Sequence, residues 1–366
     1  MPDILHISSW SYTRQFLNKQ GNDAMQVLKD IVGVYSWHPS ASLSLLARIK
    51  TLTEKDFQSL DTKKNVLRIP AMRLSVHMQA TEIAPLVFAA TIPAADDPCW
   101  EKRYGAGDKI PSTKYQQWRK ELLATCKKPF TVSELKQSVS IPEEAIKFLL
   151  NRMCFEGDML RVGSASLRSN ILSYITTDAW AKKSFVKEDP DKALQWLASA
   201  YMQAFGPIRI KDFQWWAGVS AGRAKTAIAA HDTTDIGDKY LLLTNDLSAF
   251  EKHQLSKIDT IDILPQWDTY TMGYAPDGRQ RFVSPDMQQH IYGALGATGG
   301  NGLGTILING TAHASWDSHM ESNKMNVSLN IFEKITAKSE KQITQQFESI
   351  ASLLQAKSLE VNKKKI

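Results

Sequence analysis

The sequence of 366 residues predicts an α+β fold in which repeated helix-turn-helix units precede a β-rich part. Two observations favour this fold class. Capped helices, a turn and a hairpin pattern occur together at 131–163 and again at 189–243, and such internal repetition is typical of tandem winged helices. After Ile258, short strand candidates replace the helical patterns. The predicted order is three tandem winged-helix units (1–112, 113–187 and 188–255), an antiparallel β-rich domain (256–336) and an amphipathic C-terminal helix with a basic tail (337–366).

The first unit has two helical patterns, one at 22–31 and one that begins at Pro39 and runs through Arg48. The first of these patterns places apolar residues on one face of a helix. A capping pair at 53–56 predicts a third, short helix. The alternating residues of 66–78, interrupted at Pro70, predict a pair of strands.

In the second unit, the spacing of hydroxyl and carboxylate residues at 131–134 and at 140–143 predicts two capping boxes, each at the start of a helix. Apolar residues repeat at helical spacing through 145–153. The turn residues of 156–158 and the β-prone residues of 159–162 then predict a hairpin.

The third unit begins with Asp189 as the cap and Pro190 in the first turn of a helix. A second helix is predicted at 210–217, and Ser220 caps a third that runs through Ala230. The following residues have the pattern of a second wing.

The C-terminal part is predicted to be an antiparallel sheet, because Asn309-Gly310 is the strongest hairpin signal in the chain. Its last helix has an apolar face, and the lysines at 363–365 are predicted to form a solvated tail. The strand candidates are Ile261–Leu264, Gln280–Val283, Thr305–Ile308, Ala312–Trp316 and Val327–Phe332.

Composition indicates a globular protein of the reducing cytosol. No apolar run approaches the roughly 20 residues of a membrane helix, and the N-terminal residues lack the pattern of a signal peptide. Cys99, Cys126 and Cys154 are unclustered and odd in number, which argues against disulfides or structural zinc. The histidines show no metal-ligand spacing. The formal net charge of +6 favours polyanions only mildly.

Five segments of the chain carry a resemblance: GVYSWHPSASLSLLARI at 33–49, LRIPAMRLSVHM at 67–78, FGPIRIKDFQWWAGVSAGRAKTAI at 205–228, ILPQWDTYTMGY at 263–274 and TILINGTAHASW at 305–316. In this order they resemble the AlkZ/YcaQ-type winged-helix DNA glycosylases, which remove alkylated or crosslinked bases. The resemblance runs over nearly the whole chain. It implies three winged helices and a β-rich part that form a concave basic surface around duplex DNA.

The chain departs from that family at the residues that the resemblance assigns to catalysis. Family members carry a glutamine–apolar–glutamine motif or a variant of it, which positions the attacking water. Here Tyr35, Ser36 and Trp37 stand at those positions, and a neutral indole cannot act as a base. His38, one residue further on, is a candidate general base, because the unperturbed pKa of a histidine lies near neutral pH. Either Tyr35 and Trp37 stack on an extruded base, or they only pack and the site is catalytically dead.

The resemblance also indicates residues for contact with DNA. Arg68, Arg73 and His77 lie on the strand-rich segment, where they would contact phosphate or support the active-site loop. The alternative for His77 is a structural role, as a hydrogen-bonding residue on the polar side of a strand. On the recognition helix of the third unit a serine cap and basic residues suit phosphate, although a solvated helix face explains them nearly as well. In the second unit the equivalent positions are Glu143 and Glu144, which repel phosphate. The predicted DNA-binding residues are Arg48, Arg68, Arg73, His77, Ser220, Arg223, Lys225 and Thr226.

Asp268 is the remaining carboxylate candidate for catalysis. It would position a water if the β-rich part folds back toward the cleft, and it is otherwise a residue that holds a turn. The predicted catalytic set is therefore Tyr35, Trp37, His38 and Asp268.

The leading hypothesis is a cytoplasmic, monomeric protein that binds damaged duplex DNA and hydrolyses an N-glycosidic bond without metal or cofactor. The alternative is a non-catalytic lesion sensor or transcriptional regulator that kept the fold and lost the chemistry. Protein–protein assembly through the winged helices is a third possibility.

Overall fold

A computed structural model describes residues 3–37, 39–94, 97–98, 110–163, 166–181, 188–254, 260–293 and 302–366. The α-helices of this part of the chain are Ile4–Arg14, Ala24–Asp30, Ser40–Leu46, Glu54–Thr62, Ala84–Thr91, Ser112–Thr125, Val132–Ser138, Glu143–Phe155, Thr177–Trp180, Pro190–Phe205, Ile210–Ala217, Ala221–Ala229, Leu247–Lys252, Gln289–Tyr292 and Ala337–Leu353. The strands are β1 (Val34–Tyr35), β2 (Val66–Pro70), β3 (Val76–Ala80), β4 (Met159–Val162), β5 (Ser173–Thr176), β6 (Thr233–Asp235), β7 (Leu241–Leu243), β8 (Ile261–Leu264), β9 (Gly304–Ile308), β10 (Thr311–Glu321), β11 (Lys324–Ile331) and β12 (Ser358–Lys365).

A five-stranded sheet in the order β1-β3-β2-β4-β5 connects the first two predicted units. Its neighbouring strands are antiparallel, and β2 meets β4 where Arg68 lies opposite Arg161. The strand pair predicted at 66–78 is β2 and β3, which is the pair that carries Arg73 and His77 near its connection. The division into units stays a prediction, and this sheet crosses one of its boundaries.

The helices of the second unit are confirmed, but one of the two predicted caps is wrong. Thr131 forms its capping box with Glu134. Ser140 instead donates to the carboxylate of Glu121, and helix Glu143–Phe155 begins after Pro142 without a side-chain cap. The hydrogen bond to a carboxylate on a neighbouring helix replaces the predicted bond from the serine to the start of its own helix.

In the third unit, three helices are followed by the two-stranded sheet β6-β7. Asp189 accepts hydrogen bonds from the backbone at the start of the first helix, and Ser220 caps the third. Gly218 ends the middle helix with φ +76°. In the core of this unit, the ring centroid of Tyr201 lies 4.8 Å from that of Phe205 and 4.7 Å from that of Trp216.

The C-terminal sheet has the order β12-β11-β10-β9-β8, and most of its pairs are antiparallel as predicted. Asn309 and Gly310 have φ values of 52° and 79° between β9 and β10, which confirms the predicted hairpin. The predicted strand Gln280–Val283 is wrong. Pro276–Arg281 is a 3-10 helix, because the Arg281 side chain turns inward and donates to carbonyl oxygens, including that of Pro207.

The predicted basic tail is also wrong in its structure. Residues 358–365 form β12, parallel to β11 at the edge of the sheet. The lysine side chains remain exposed, and Lys363 pairs with Glu340 at 2.9 Å. The consecutive lysines correctly predict exposed side chains. They do not predict whether the backbone of these residues pairs with a neighbouring strand.

Candidate nucleic-acid site

A cavity of about 450 Å³ lies where the β2–β3 connection, the end of helix Ile210–Ala217 and the loop after β8 meet. Two larger clefts, of about 650 and 790 Å³, lie elsewhere, and neither is lined by a described tryptophan. The smaller cavity collects aromatic, cationic and imidazole side chains. Its lining residues are Tyr35, Met72, Arg73, Ser75, His77, Trp215, Trp216, Trp267, Thr269 and Met272.

Aromatic rings form one wall of this cavity. Tyr35 is half-buried on β1, and its ring centroid lies 5.0 Å from that of Trp267 and 5.7 Å from that of His77. Burial raises the pKa of the Tyr35 phenol, so this group stays protonated and cannot act as a base. Trp37 is 50% exposed and meets Trp267 edge to face at 6.1 Å. The structure thus brings the predicted aromatic pair beside a third ring.

Arg73 supplies a cation to the same cavity. Its guanidinium carbon lies 4.0 Å from the ring centroid of Trp215. Burial, followed by the charge of Arg279, lowers the pKa of Arg73 to about 10, which leaves it protonated at neutral pH. Its backbone has φ +53° and ψ +29°, a conformation that non-glycine residues rarely adopt outside special sites. Trp267, which also lines the cavity, has a positive φ of 58°.

Close packing at Gly218 holds the Arg73 turn. A Cβ atom on Gly218 would lie 3.0 Å from both Cα and N of Arg73. The helix that carries Trp215 therefore approaches the β2–β3 connection at a distance that only glycine permits.

His77 presents a neutral imidazole with a defined tautomer. Its Nδ1 lies 3.0 Å from the carbonyl oxygen of Ser75. Because a carbonyl oxygen only accepts, Nδ1 must carry the proton and Nε2 must hold the lone pair. Burial, with the charge of Arg73 as a smaller contribution, lowers the pKa of His77 to about 4. At neutral pH this residue is therefore a proton acceptor beside the aromatic wall.

Arg48 and Asp268 occupy a different environment: the position of Arg48 does not fit a DNA contact, and of the two roles open for Asp268 the structure fits the one that holds a turn. Each side chain is fully buried, and Arg48 donates to the two carboxylate oxygens at 2.7 and 2.8 Å. Ser44 and the backbone N–H of Tyr270 also donate to this carboxylate. Neither residue lines the cavity, so Arg48 is not presented to DNA and Asp268 is not presented to a water there. The pair instead fixes the turn that carries Trp267.

Arg68 is also buried and requires a correction as a DNA contact. It is 1% exposed and forms a two-pronged ion pair with Asp61. Paired in this way within the sheet, it supports the strand that leads to the Arg73 turn.

The third-unit helix Ala221–Ala229 carries the remaining predicted DNA contacts on an exposed face. Ser220 accepts from the backbone N–H of Arg223 and thereby caps the helix. The Arg223 side chain is 43% exposed and lies 3.6 Å from Asp191. Lys225 and Thr226 are also exposed. These residues lie outside the cavity lining and present polar groups to solvent.

His38 lies outside the described residues, so its predicted role as a base stays a prediction. The three tryptophans that line the cavity, Trp215, Trp216 and Trp267, were missed as site residues. A signal for Trp215 existed in the sequence. Adjacent residues of a helix point in different directions, so Trp215 and Trp216 cannot both face the core. Trp216 is 3% exposed and belongs to the core, while Trp215 is only partly buried; both rings line the cavity.

Within the described ranges, no group of three or more His, Cys, Asp or Glu side chains has the arrangement of a metal site. None of the helices in that part of the chain is long and apolar enough to span a bilayer.

The fold and the cavity define an α+β protein with an aromatic-lined cavity, and sequence comparison identifies the family. The family model described as DNA glycosylase AlkZ-like matches residues 29–353, and the chain belongs to this family. Its structure is similar to that of the Streptomyces sahachiroi DNA glycosylase AlkZ, with a TM-score of 0.75, 17% identity and coverage of 98% of this chain and 99% of that chain. A search of curated proteins gave no match. At this identity the structural likeness shows the fold, and membership rests on the family model.

Proposed function

We propose that this protein binds damaged duplex DNA and accommodates a base extruded from the helix in the cavity between Tyr35, Trp215 and Trp267. The observation that carries the proposal is the cavity itself. Its volume of about 450 Å³ lies within the roughly 300–1,000 Å³ of small-ligand sites. Enzymes and sensors that act on a base inside a duplex must rotate it outward, and aromatic rings stabilise it once it is unstacked.

The exposed helix Ala221–Ala229 supports the same proposal as the element that contacts phosphate. Its serine cap, Arg223 and Lys225 suit the backbone of a duplex, and the family of DNA glycosylases implies DNA as partner. Damage as the feature recognised, and action as a monomer in the cytoplasm, belong to this proposal too.

The reaction we propose is hydrolysis of the N-glycosidic bond of the extruded nucleotide. Water adds to the sugar carbon C1′, the bond from that carbon to the base breaks, and its electron pair leaves with the base. The water proton passes to the lone pair of His77 Nε2, which is neutral at physiological pH. His38, which also stood out in the sequence, is the second candidate for this acceptor.

A non-catalytic lesion sensor is the alternative that one observation favours. The described lining of the cavity contains no carboxylate and no carboxamide. A protein with this lining would retain the extruded base by stacking and hydrogen bonding without activating water.

Two measurements on the same duplexes separate these functions. Free base is quantified after incubation with oligonucleotides that each carry one modified base, and binding is measured at several salt concentrations. Base release that is lost in His77→Ala supports hydrolysis through this residue. Salt-dependent, lesion-selective binding without release supports the sensor. Absence of DNA binding contradicts both and leaves assembly through the helical units.

A further inference from the structure

We propose that the indole of Trp37 inserts into the duplex and fills the gap that an extruded base leaves in the stack. This inference rests on the proposed function, since it requires that a base leaves the helix for the cavity. Trp37 would contact the base pairs that flank the gap, and the residues of the cavity would contact the extruded base. Proteins that distort DNA frequently place an apolar side chain between base steps in this way.

The first observation is that Trp37 presents a large apolar ring to solvent. It is 50% exposed, whereas the other tryptophans that the structure describes are buried or half-buried. A tryptophan ring is usually covered, because burial of its large apolar surface is favourable. A single exposed apolar residue is common on protein surfaces, so the position of the ring decides whether it has a role.

The second observation is that Trp37 lies directly beside the aromatic cavity. The described lining does not include Trp37, but its ring meets that of Trp267 edge to face at a centroid distance of 6.1 Å, and Trp267 lines the cavity. Tyr35, two residues earlier, also lines it. An extruded base stays attached to its sugar, so the gap in the stack lies within about one nucleotide of the cavity. Trp37 is therefore placed to reach the gap while the base occupies the cavity.

The third observation is that the backbone is fixed on both sides of Trp37. The N–H of Ser36 donates to the carbonyl oxygen of Val76 on β3 at 3.0 Å. The carbonyl oxygen of Trp37 accepts from the N–H of Ala41, also at 3.0 Å, at the start of helix Ser40–Leu46. A tryptophan on a fixed backbone has only two side-chain torsions to order, so little conformational entropy is lost when its ring becomes stacked.

Stacking of Trp37 on the extruded base itself is the alternative, and an abasic site separates the two roles. A duplex in which tetrahydrofuran replaces one nucleoside already has a gap in its stack, and it has no base at that position to enter the cavity. An indole that fills the gap favours this duplex. An indole that stacks on the extruded base gains nothing from it.

The experiment measures dissociation constants for three duplexes of one sequence. The first is undamaged, the second has a single tetrahydrofuran site, and the third carries a modified base from the set that tests the proposed function. The proteins are the wild type, Trp37→Ala, Trp37→Phe and Leu5→Ala. Leu5 is 62% exposed on helix Ile4–Arg14, so Leu5→Ala controls for the loss of an exposed apolar side chain. Thermal unfolding shows that each variant is folded.

We expect the wild type to bind the tetrahydrofuran duplex about tenfold more tightly than the undamaged one, because insertion there gains stacking without the cost of extruding a base. Trp37→Ala should lose this preference. Trp37→Phe keeps a ring and should retain most of the preference, and Leu5→Ala should retain all of it. A 2-aminopurine next to the tetrahydrofuran reports stacking directly, since the wild type should quench its fluorescence and Trp37→Ala should not.

Equal binding of the undamaged and tetrahydrofuran duplexes by the wild type overturns the inference, and so does a preference that is unchanged in folded Trp37→Ala. If Trp37→Ala weakens binding of the modified base but keeps the tetrahydrofuran preference, Trp37 stacks on the extruded base. The inference then fails and the proposed function stands. If no modified base is bound more tightly than the undamaged duplex, the proposed function itself fails.

Discussion

Arg48 and Arg73 show how differently two buried regions of one protein treat the same side chain. Arg48 lies in the junction with Asp268, where two charges of opposite sign satisfy each other and water is excluded. Arg73 lies in the aromatic cavity, stacked on Trp215 and near another arginine. In the first arrangement the charge of the arginine is balanced without a ligand. The second retains a cation and donors that a bound group would satisfy, which is the usual difference between a structural site and a binding site.

The largest expected effect comes from breaking the Arg48–Asp268 junction. Arg48→Met leaves a carboxylate buried without its partner, and loss of one member of a buried pair costs about 3–5 kcal/mol of unfolding free energy. Urea denaturation measures this value. The double variant Arg48→Met/Asp268→Leu should recover much of it, since no charge is left buried. A single variant that unfolds with the free energy of the wild type would show that the junction does not hold the fold.

The next effect concerns pH and the cavity histidine. The pKa of His77 falls from its ordinary value near 6.5 to about 4 on folding, so the unfolded chain binds more protons between these values. The contribution of His77 is therefore fully present above pH 6.5 and decreases as the pH falls toward 4. A shift of this size corresponds to about 3 kcal/mol. Unfolding free energies measured from pH 4 to 7 should have a steeper slope in the wild type than in His77→Gln. Equal slopes would contradict the assignment, because His253 and His313 remain in both proteins.

A smaller effect is expected where the helix end approaches the Arg73 turn. Gly218→Ala places a methyl group 3.0 Å from the Arg73 backbone and at a φ of +76°. We expect a loss of about 1–2 kcal/mol, together with weaker binding of the lesion duplex. Gly293→Ala is the matched control, since Gly293 also has a positive φ, of 70°, and a Cβ there meets nothing within 4 Å. Retention of lesion binding in a destabilised Gly218→Ala protein would show that the geometry of Arg73 is not needed for it.

The smallest expected effect is on the salt dependence of DNA binding, and it tests whether the third unit or the second contacts phosphate. Replacement of Arg223 or Lys225 by Gln should reduce the slope of log K against log salt by about 0.9 for each phosphate that the protein no longer neutralises. Lys147→Gln is the control, because Lys147 is exposed on helix Glu143–Phe155, which begins with two glutamates. A slope that changes with Lys147 and not with Arg223 would assign the phosphate contact to the second unit.

Local patterns predicted much of the fold, and they failed where a distant group competed. The capping boxes at Thr53 and Thr131 and the hairpin at Asn309-Gly310 are confirmed, because their determinants lie within a few residues. Ser140 does not cap its helix, because its hydroxyl donates to the distant carboxylate of Glu121. Residues 358–365 form a strand because β11 lies beside them and pairs with them.

The candidate site was predictable only in part. Tyr35, Arg73 and His77 stood out as residue types in a suggestive order, and all three line the cavity. Trp215 and Trp267 did not stand out, since a tryptophan in a helix or a turn is most often a packing residue.

The sequence by itself determined the α+β class, the start of most of the predicted helices and the family, because caps, periodicity and motif order are written along the chain. Only the tertiary structure decided which arginine is neutralised. Arg48 and Asp268 are separated by 220 positions in sequence, and Arg73 and Trp215 come from different elements. The charge of an arginine is a property of the residue, but its compensation depends on which side chains the fold brings within a few ångströms.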